Sequence, residues 1–363
     1  MNEVLKQLQS ISQLQISESK YFTKGLFETK RVWARGLYQR KDNTGFFAAS
    51  IGFTLLRYQS LYTKEEFALV NKILKHIEKA LPSFRNKDGH ASYNFWQTKP
   101  SKHFPGGYFA HKFKFFMIPD DIDDSSIIHL VLKHSIEEQR SLKKKMEQYA
   151  IGNLKWPDKP VKGYENFKTY NTFFVKNMPA AFDICALCNT LYFIYHYQLP
   201  LSEQDEQGVQ LISKCIENHD HITRPYAMSP YYPNTVLILY HLVRLICDIK
   251  IESLEHFKYQ LHQQAYHLLI NWHLTEMEQL ILKICIQKLK KSALSINEIG
   301  IKEKASFPFF VAGILGEVKP KWLRSMSFSN VTHIKYRCTA YAEVLWLEHL
   351  LLNRVAEQAI SNS

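Results

Sequence analysis

Four carboxylates stand within five positions of one another, Asp120, Asp121, Asp123 and Asp124, between Pro119 and Ser125. Clustered carboxylates cannot all ionise together, so one keeps its proton near neutral pH and can act as an acid. The non-catalytic account is helix capping. Pro119 followed by Asp121 and Asp124 supplies an N-cap oxygen and an acid in the first helical turn, a cap being worth about 1 kcal/mol. Capping accounts for two of the aspartates. Four like charges in five positions repel one another, so the surplus points to a site with Asp123 at its centre.

The elements that position these acids are read from composition and period. The chain has 363 residues, 46% hydrophobic, with only 13 glycines and 13 prolines, which indicates an all-α protein with a large core. Some helical stretches are apolar nearly all round: 46–59, 125–134, 180–197, 234–246 and 338–352. Others carry one apolar stripe and a charged face: 63–81, 136–150, 201–218, 253–272 and 274–291. The first kind belongs inside and the second at the surface. Their alternation predicts an (α/α)6-type helical toroid of inner and outer helices, with a stacked solenoid as the rival. A single domain over 1–363 is expected, with 1–40 as a peripheral helical segment.

Pro119, Pro179 and Pro233 stand just before or at the starts of inner helices, and Asp123 and Asp183 each follow a proline by four positions. Helix N-termini carry free N–H groups and partial positive charge, which suits carboxylates. Aromatic connections precede the inner helices at 89–116, 162–177 and 224–234, and the alternation in "YFAHKFKFF" suggests a short hairpin-like strand there.

"DIDD", Asp121 to Asp124, within "FFMIPDDIDDSSIIHLVL", resembles the DxDD signature of class II terpene cyclases, a family of (α/α) toroids. The resemblance implies acid-initiated cyclisation or isomerisation of a polyprenyl or polyene substrate. Asp123 would be the proton donor, and Asp121 and Asp124 would tune and hold it. Aromatic faces would shelter the carbocation, with Tyr93, Trp96, Tyr108 and Tyr170 as candidate substrate contacts and Asp183 beside them. The repeated Gln–Trp motifs of that superfamily are absent, and the chain is long enough for one barrel where the family usually uses two. "DDIDD" is also similar to the DDxxD motif of class I terpene synthases, in which Asp120, Asp121 and Asp124 would bind Mg²⁺ for a diphosphate substrate. No second class I metal motif follows. Otherwise no cofactor is implied.

Two alternatives come from different classes: a carbohydrate-active (α/α) barrel using Asp123 and Asp183 as paired carboxylates roughly 5 to 9.5 Å apart, and a helical-repeat binding protein without chemistry. His103, His111, Lys112 and Arg224 are further candidates near the acids, and His219, Asp220 and His221 form a loop cluster that reads as polar loop. The net charge of +12 is spread without a nucleic-acid motif. The six cysteines sit among apolar neighbours, as reduced core cysteines do, "CALC" at Cys185 to Cys188 included. The N-terminus lacks a signal-peptide apolar core, and the most apolar windows carry Asn189 and Arg244 at helical spacing. A cytoplasmic protein is therefore expected, acting on a hydrophobic small molecule, with peripheral membrane contact or a homodimer as further expectations.

Overall fold

In the structure, a computed structural model, residues 2–33, 36–86, 88, 90–105, 107, 109–114, 117–153, 161–175, 182–290, 293–294, 300–313 and 333–361 are described. The chain runs α1 (Glu3–Leu14), β1 (Thr29–Trp33), β2 (Tyr38–Asp42), α2 (Phe46–Arg57), α3 (Lys64–Ala80), α4 (Ile122–Val131), α5 (Ile136–Gln148), α6 (Ile184–His196) and α7 (Glu203–Glu217). The short α8 (Asp220–Thr223) and α9 (Pro225–Met228) lead to α10 (Thr235–Asp248), α11 (Glu252–Glu255), α12 (Phe257–Asn271), α13 (Glu276–Lys290) and α14 (Ile301–Ser306). Strands β3 (Phe310–Gly313) and β4 (His333–Arg337) precede the final helix, α15 (Thr339–Ser361).

The division into wholly apolar and striped helices has direct packing consequences. Every residue of α4 is buried, as are Ile184 to Ile194 of α6 and Thr235 to Ile246 of α10. The striped helices α3 and α5 start with capping boxes, Thr63 with Glu66 and Ser135 with Glu138, which satisfy N–H groups that a surface helix would otherwise leave to water. Helix α2 packs on α4, α4 on α6, α6 on α10, α10 on α13, α13 on α15, and α15 on α2. Helix α3 lies against α2, α5 against α4, α7 against α6, and α12 against α10 and α13. The single-stripe reading of 274–291 is corrected here. In α13 the side chains of Met277, Leu280, Ile281, Leu282 and Ile284 to Gln287 are buried, because its remaining faces are covered by α10, α12 and α15.

Arg57 at the C-terminus of α2 bonds Asp248 of α10 and Glu348 of α15, and Tyr58 and Tyr240 donate to the same Glu348 at 2.7 Å each. Lys288 of α13 reaches Asp248 at 2.6 Å. A buried carboxylate persists only when paired and hydrogen-bonded, and here one network ties four helices.

Two expectations are corrected. The segment "YFAHKFKFF" forms a single 3-10 turn at Ala110–Lys112 among its described residues, not a strand, because no neighbouring strand accepts its alternation. Among the described residues of 1–40 the α-helix is α1, whose Val4, Leu8 and Ile11 are buried and which packs on α3 and α15. Beyond it lies part of a four-stranded antiparallel sheet, in the order β2-β1-β4-β3, which pairs Arg31 near the start of the chain with Tyr336 near its end. Among the described residues no helix is long and apolar enough to cross a membrane. The six cysteines are free thiols, all buried except the half-buried Cys247.

Candidate functional site

Capping uses fewer of the aspartates than the sequence offers, with Asp121 as the cap and Asp124 in the first turn as expected. Asp121 is the N-cap of α4, extended at φ −135° and ψ 166°, and its Oδ1 accepts the N–H of Asp124 at 2.7 Å. Asp183 holds the same position in α6, accepting from Cys185 and Ala186 at 2.9 and 3.2 Å. Asn234 holds it in α10, accepting from Val236 and Leu237 at 2.8 and 3.3 Å. The structural equivalent of Asp183 is therefore Asp121, not Asp123. Spacing from the prolines misaligned them because the connection before a cap varies in length; Pro179 itself lies outside the described residues. Asp120, Asp123 and Asp124 are left with no capping task.

Asp120 turns away from the other three. Ser92 Oγ donates to its Oδ2 at 2.6 Å, Asn86 donates to the same oxygen, Asn94 donates to Oδ1 at 3.2 Å, and Lys145 Nζ stands 3.5 Å away. It lines a cleft of about 260 Å³ with Asn86, Asn94, Lys145, Tyr149 and Phe174. The Mg²⁺ grouping of Asp120, Asp121 and Asp124 is therefore not assembled. Among the described residues no set of three or more His, Cys, Asp or Glu side chains is arranged to hold a metal ion.

Asp123 points into the helix core. Asn189 of α6 donates to its Oδ1 at 2.5 Å, and the Tyr232 hydroxyl donates to Oδ2. The amide oxygen of Asn189 accepts from Arg244 of α10, whose guanidinium lies 5.3 Å from the ring centroids of both Phe53 and Tyr240. An acid–amide–guanidinium chain thus runs from α4 through α6 to α10. Immediately before Tyr232, the turn 229–231 serves Asp183: Ser229 Oγ donates to its Oδ1 at 2.7 Å and the Tyr231 N–H to Oδ2 at 2.9 Å.

Burial is the largest influence on all four carboxyls. It pushes Asp121 up to about 7, reinforced by the charge of Asp123, and Asp183 up to about 7, opposed by the Ser229 hydrogen bond. Asp123 is raised by burial against the opposing effects of Tyr232, Asn189 and Arg244. Asp124 is raised further by burial, by the neighbouring Asp121 carboxyl and by Asp123, and its Oδ1 is buried without a hydrogen-bond partner among the described residues. The charged form is penalised at each position, so each carboxyl keeps its proton to higher pH than an ordinary one. Asp121 and Asp124 titrate as a pair.

The surroundings are aromatic and closely packed. Tyr232 lies 6.3 Å from Phe46 and 6.2 Å from Phe310, with 5.1 Å between those two rings, and 5.0 Å from His241. Burial pushes His241 down to about 3, so it is a neutral imidazole. An enclosed cavity of about 10 Å³ opens beside Tyr232, lined by Ser50, Ile127, His241, Arg244 and Tyr341 among others. That is room for about one water molecule.

The structure brings together Asp121, Asp123, Asp124 and Asp183. The aromatic candidates are committed elsewhere. Tyr93 is buried with its hydroxyl 3.1 Å from His134 Nε2; Trp96 donates to Asp42 at 2.8 Å; Tyr170 donates to Asp205 of α7 at 2.5 Å. Tyr108 lies outside the described residues. His103 Nε2 is 3.0 Å from the Phe113 carbonyl, His111 and Lys112 are exposed, and Arg224 pairs with Asp220 at 2.6 Å. His221 bonds Gln264 at 2.9 Å. The residues that do hold Asp123 are Asn189, Tyr232 and, through Asn189, Arg244. Their signal was an amide and a guanidinium inside otherwise apolar helices, since such groups are almost never fully buried without a partner.

Comparison with known protein families, with curated proteins and with solved structures gave no match to this chain.

Proposed function

We propose that the chain is an acid catalyst of the class II terpene-cyclase kind, acting on a polyene through Asp123 and built on a closed (α/α) toroid. The cycle of helix contacts from α2 through α4, α6, α10, α13 and α15 back to α2 supports the toroid. The observation that carries the chemistry is the Asp123 carboxyl, buried beside two other acids and held on both oxygens by Asn189 and Tyr232. In the reaction the O–H bond of Asp123 breaks, the π pair of a terminal alkene forms the new C–H bond, and the adjacent carbon becomes cationic. Asn189, Tyr232 and Arg244 stabilise the carboxylate left behind, which is the purpose of donors fixed in advance of charge development. The faces of Phe46, Tyr232 and Phe310 shelter the cation. The space beside Tyr232 holds about one water, so a polyene reaches Asp123 only after this aromatic group moves aside.

The test is incubation with squalene, oxidosqualene and geranylgeranyl diphosphate in deuterated water. A cyclised or isomerised product, formed by the wild type and abolished by Asp123→Asn, is expected, carrying one carbon-bound solvent deuterium where an alkene is protonated and none retained where the epoxide oxygen of oxidosqualene takes the proton. Turnover that persists in Asp123→Asn, or no product from any of the three, overturns the reading.

A second reading, binding of a small polar molecule such as a sugar, is favoured by the cleft at Asp120, which combines amide, carboxylate and ammonium groups with the rings of Tyr149 and Phe174. It does not use Asp123 and Asp183 as a catalytic pair, since the cleft is lined by Asp120 and by neither of them. Ligand-induced thermal stabilisation by a panel of monosaccharides, lost in Asn94→Leu, would support it; an unchanged midpoint across the panel would sink it.

A further inference from the structure

We infer that the loop carrying Phe109, Phe113 and Met117 docks on a membrane surface rich in anionic lipid. Three observations converge. Phe109 is 73% exposed, Phe113 54% and Met117 46%, and they fall within nine positions of one another. Large apolar side chains exposed singly need no explanation; a group of them close together in one loop marks an interaction surface. The same loop is basic: His111, Lys112 and Lys114 interleave with the apolar side chains and are exposed, as are Lys99 and Lys102. From position 89 to position 119 the chain has no aspartate or glutamate, within a protein of net charge +12.

The loop has a firm base. The Phe104 ring packs on Trp96 with centroids 4.3 Å apart, the Arg31 guanidinium lies 5.3 Å from the Phe104 ring centroid, and the Phe113 carbonyl meets His103 at 3.0 Å. Packing at the base holds the segment from which these apolar side chains extend, which lowers the cost of ordering them at contact. Phenylalanine with interleaved lysine is the composition that partitions into the headgroup region, the ring entering the acyl boundary and the ammonium meeting lipid phosphate. A protein partner of comparable affinity would need a broader, flatter patch, and a nucleic acid would be met by base-stacking rings with a longer cationic track. Met117 also lines the cleft at Asp120, so the docked face is the one on which that cleft opens. The inference does not depend on the acid chemistry of Asp123.

Flotation of the full chain with vesicles tests it. Binding is expected to vesicles of phosphatidylcholine and phosphatidylglycerol in equal parts, and to be weaker on pure phosphatidylcholine and at high salt. Each lysine near an anionic surface contributes about fivefold to partitioning, so K112Q/K114Q should bind about twenty-fold more weakly. F109S/F113S should lose about tenfold or more, while F109L/F113L retains binding. The substituted side chains are exposed, and an unchanged circular dichroism spectrum checks the fold. No flotation with the anionic vesicles, or loss with the lysine variant but none with the serine variant, overturns insertion at this loop. So does binding to a single-stranded oligonucleotide that depends on the same residues without vesicle binding.

Discussion

The hydroxyl of Tyr232 donates to one oxygen of Asp123 across the space between α4 and the segment entering α10, while Asn189 of α6 donates to the other oxygen at 2.5 Å. One acid thereby joins three consecutive inward elements. Replacing Tyr232 by Phe leaves a buried carboxyl oxygen without its donor, which costs about 1–3 kcal/mol. Urea unfolding should show that loss, and the double variant with Asp123→Asn should show coupling of about 0.5–3 kcal/mol. Additive effects would mean that the two side chains do not interact.

Asp121 is both a cap and one of a crowded set of acids, and two substitutions separate these roles. Asp121→Asn keeps the side-chain acceptor for the Asp124 N–H and removes a charge from beside Asp124. It should be no less stable than the wild type at pH 8. Asp121→Ala loses the acceptor as well and should fall about 1 kcal/mol below the Asn variant. Equal stability of the two variants would show that the cap is idle.

The raised carboxyls predict a pH dependence opposite to the usual one for acids. Asp183 is held at about 7 in the fold against 3.8 ordinarily. A folded-state value above the unfolded one means that the folded state binds more protons, so this contribution is full below about pH 4 and is lost as pH rises toward 7, at about 1.4 kcal/mol per pH unit for one proton. The buried neutral imidazoles, His129 and His241 at about 3, act in the opposite direction over much of that range. The comparison must therefore be differential. Asp183→Asn, which can still cap as Asn234 does, should gain stability relative to the wild type as pH rises from 4 to 7. A difference independent of pH would place Asp183 at an ordinary carboxylate value.

Arg244 reaches Asp123 through Asn189, with its guanidinium 5.3 Å from the ring centroids of Phe53 and Tyr240. Arg244→Met fills much of the volume but removes the charge and the donor to Asn189. A stability loss of about 3 kcal/mol is expected, together with a further rise of the Asp123 carboxyl, observable by its carbonyl infrared band at neutral pH. Arg244→Lys should rescue the charge only in part, since an ammonium lacks the planar fork and the stacking face. Full rescue by Lys would show that charge alone matters at this position.

Much of the helical layout was legible because period and burial are local properties. A helix such as α10, apolar on every side from Thr235 to Ile246, must be inside wherever its neighbours lie. Helix α13 was misread because α10, α12 and α15 together bury more of it than one stripe, and strand pairing was misplaced because β1 and β4 are about three hundred positions apart. Pairing depends on a distant partner that no local pattern names.

The sequence by itself determined that four carboxylates meet at one helix start, and that capping cannot employ them all, since a helix N-terminus offers few N–H groups. Only the tertiary structure decided their separate fates. It turned Asp120 toward Lys145 and an open cleft, placed Asp121 at the cap, left Asp124 buried beside it, and aimed Asp123 at Asn189 and Tyr232. The physical reason is geometric. Asp123 and Asp124 stand on the helix about a hundred degrees apart, while Asp120 and the extended cap Asp121 precede it, so the four face different walls, and those walls come from α5, α6 and the segment before α10.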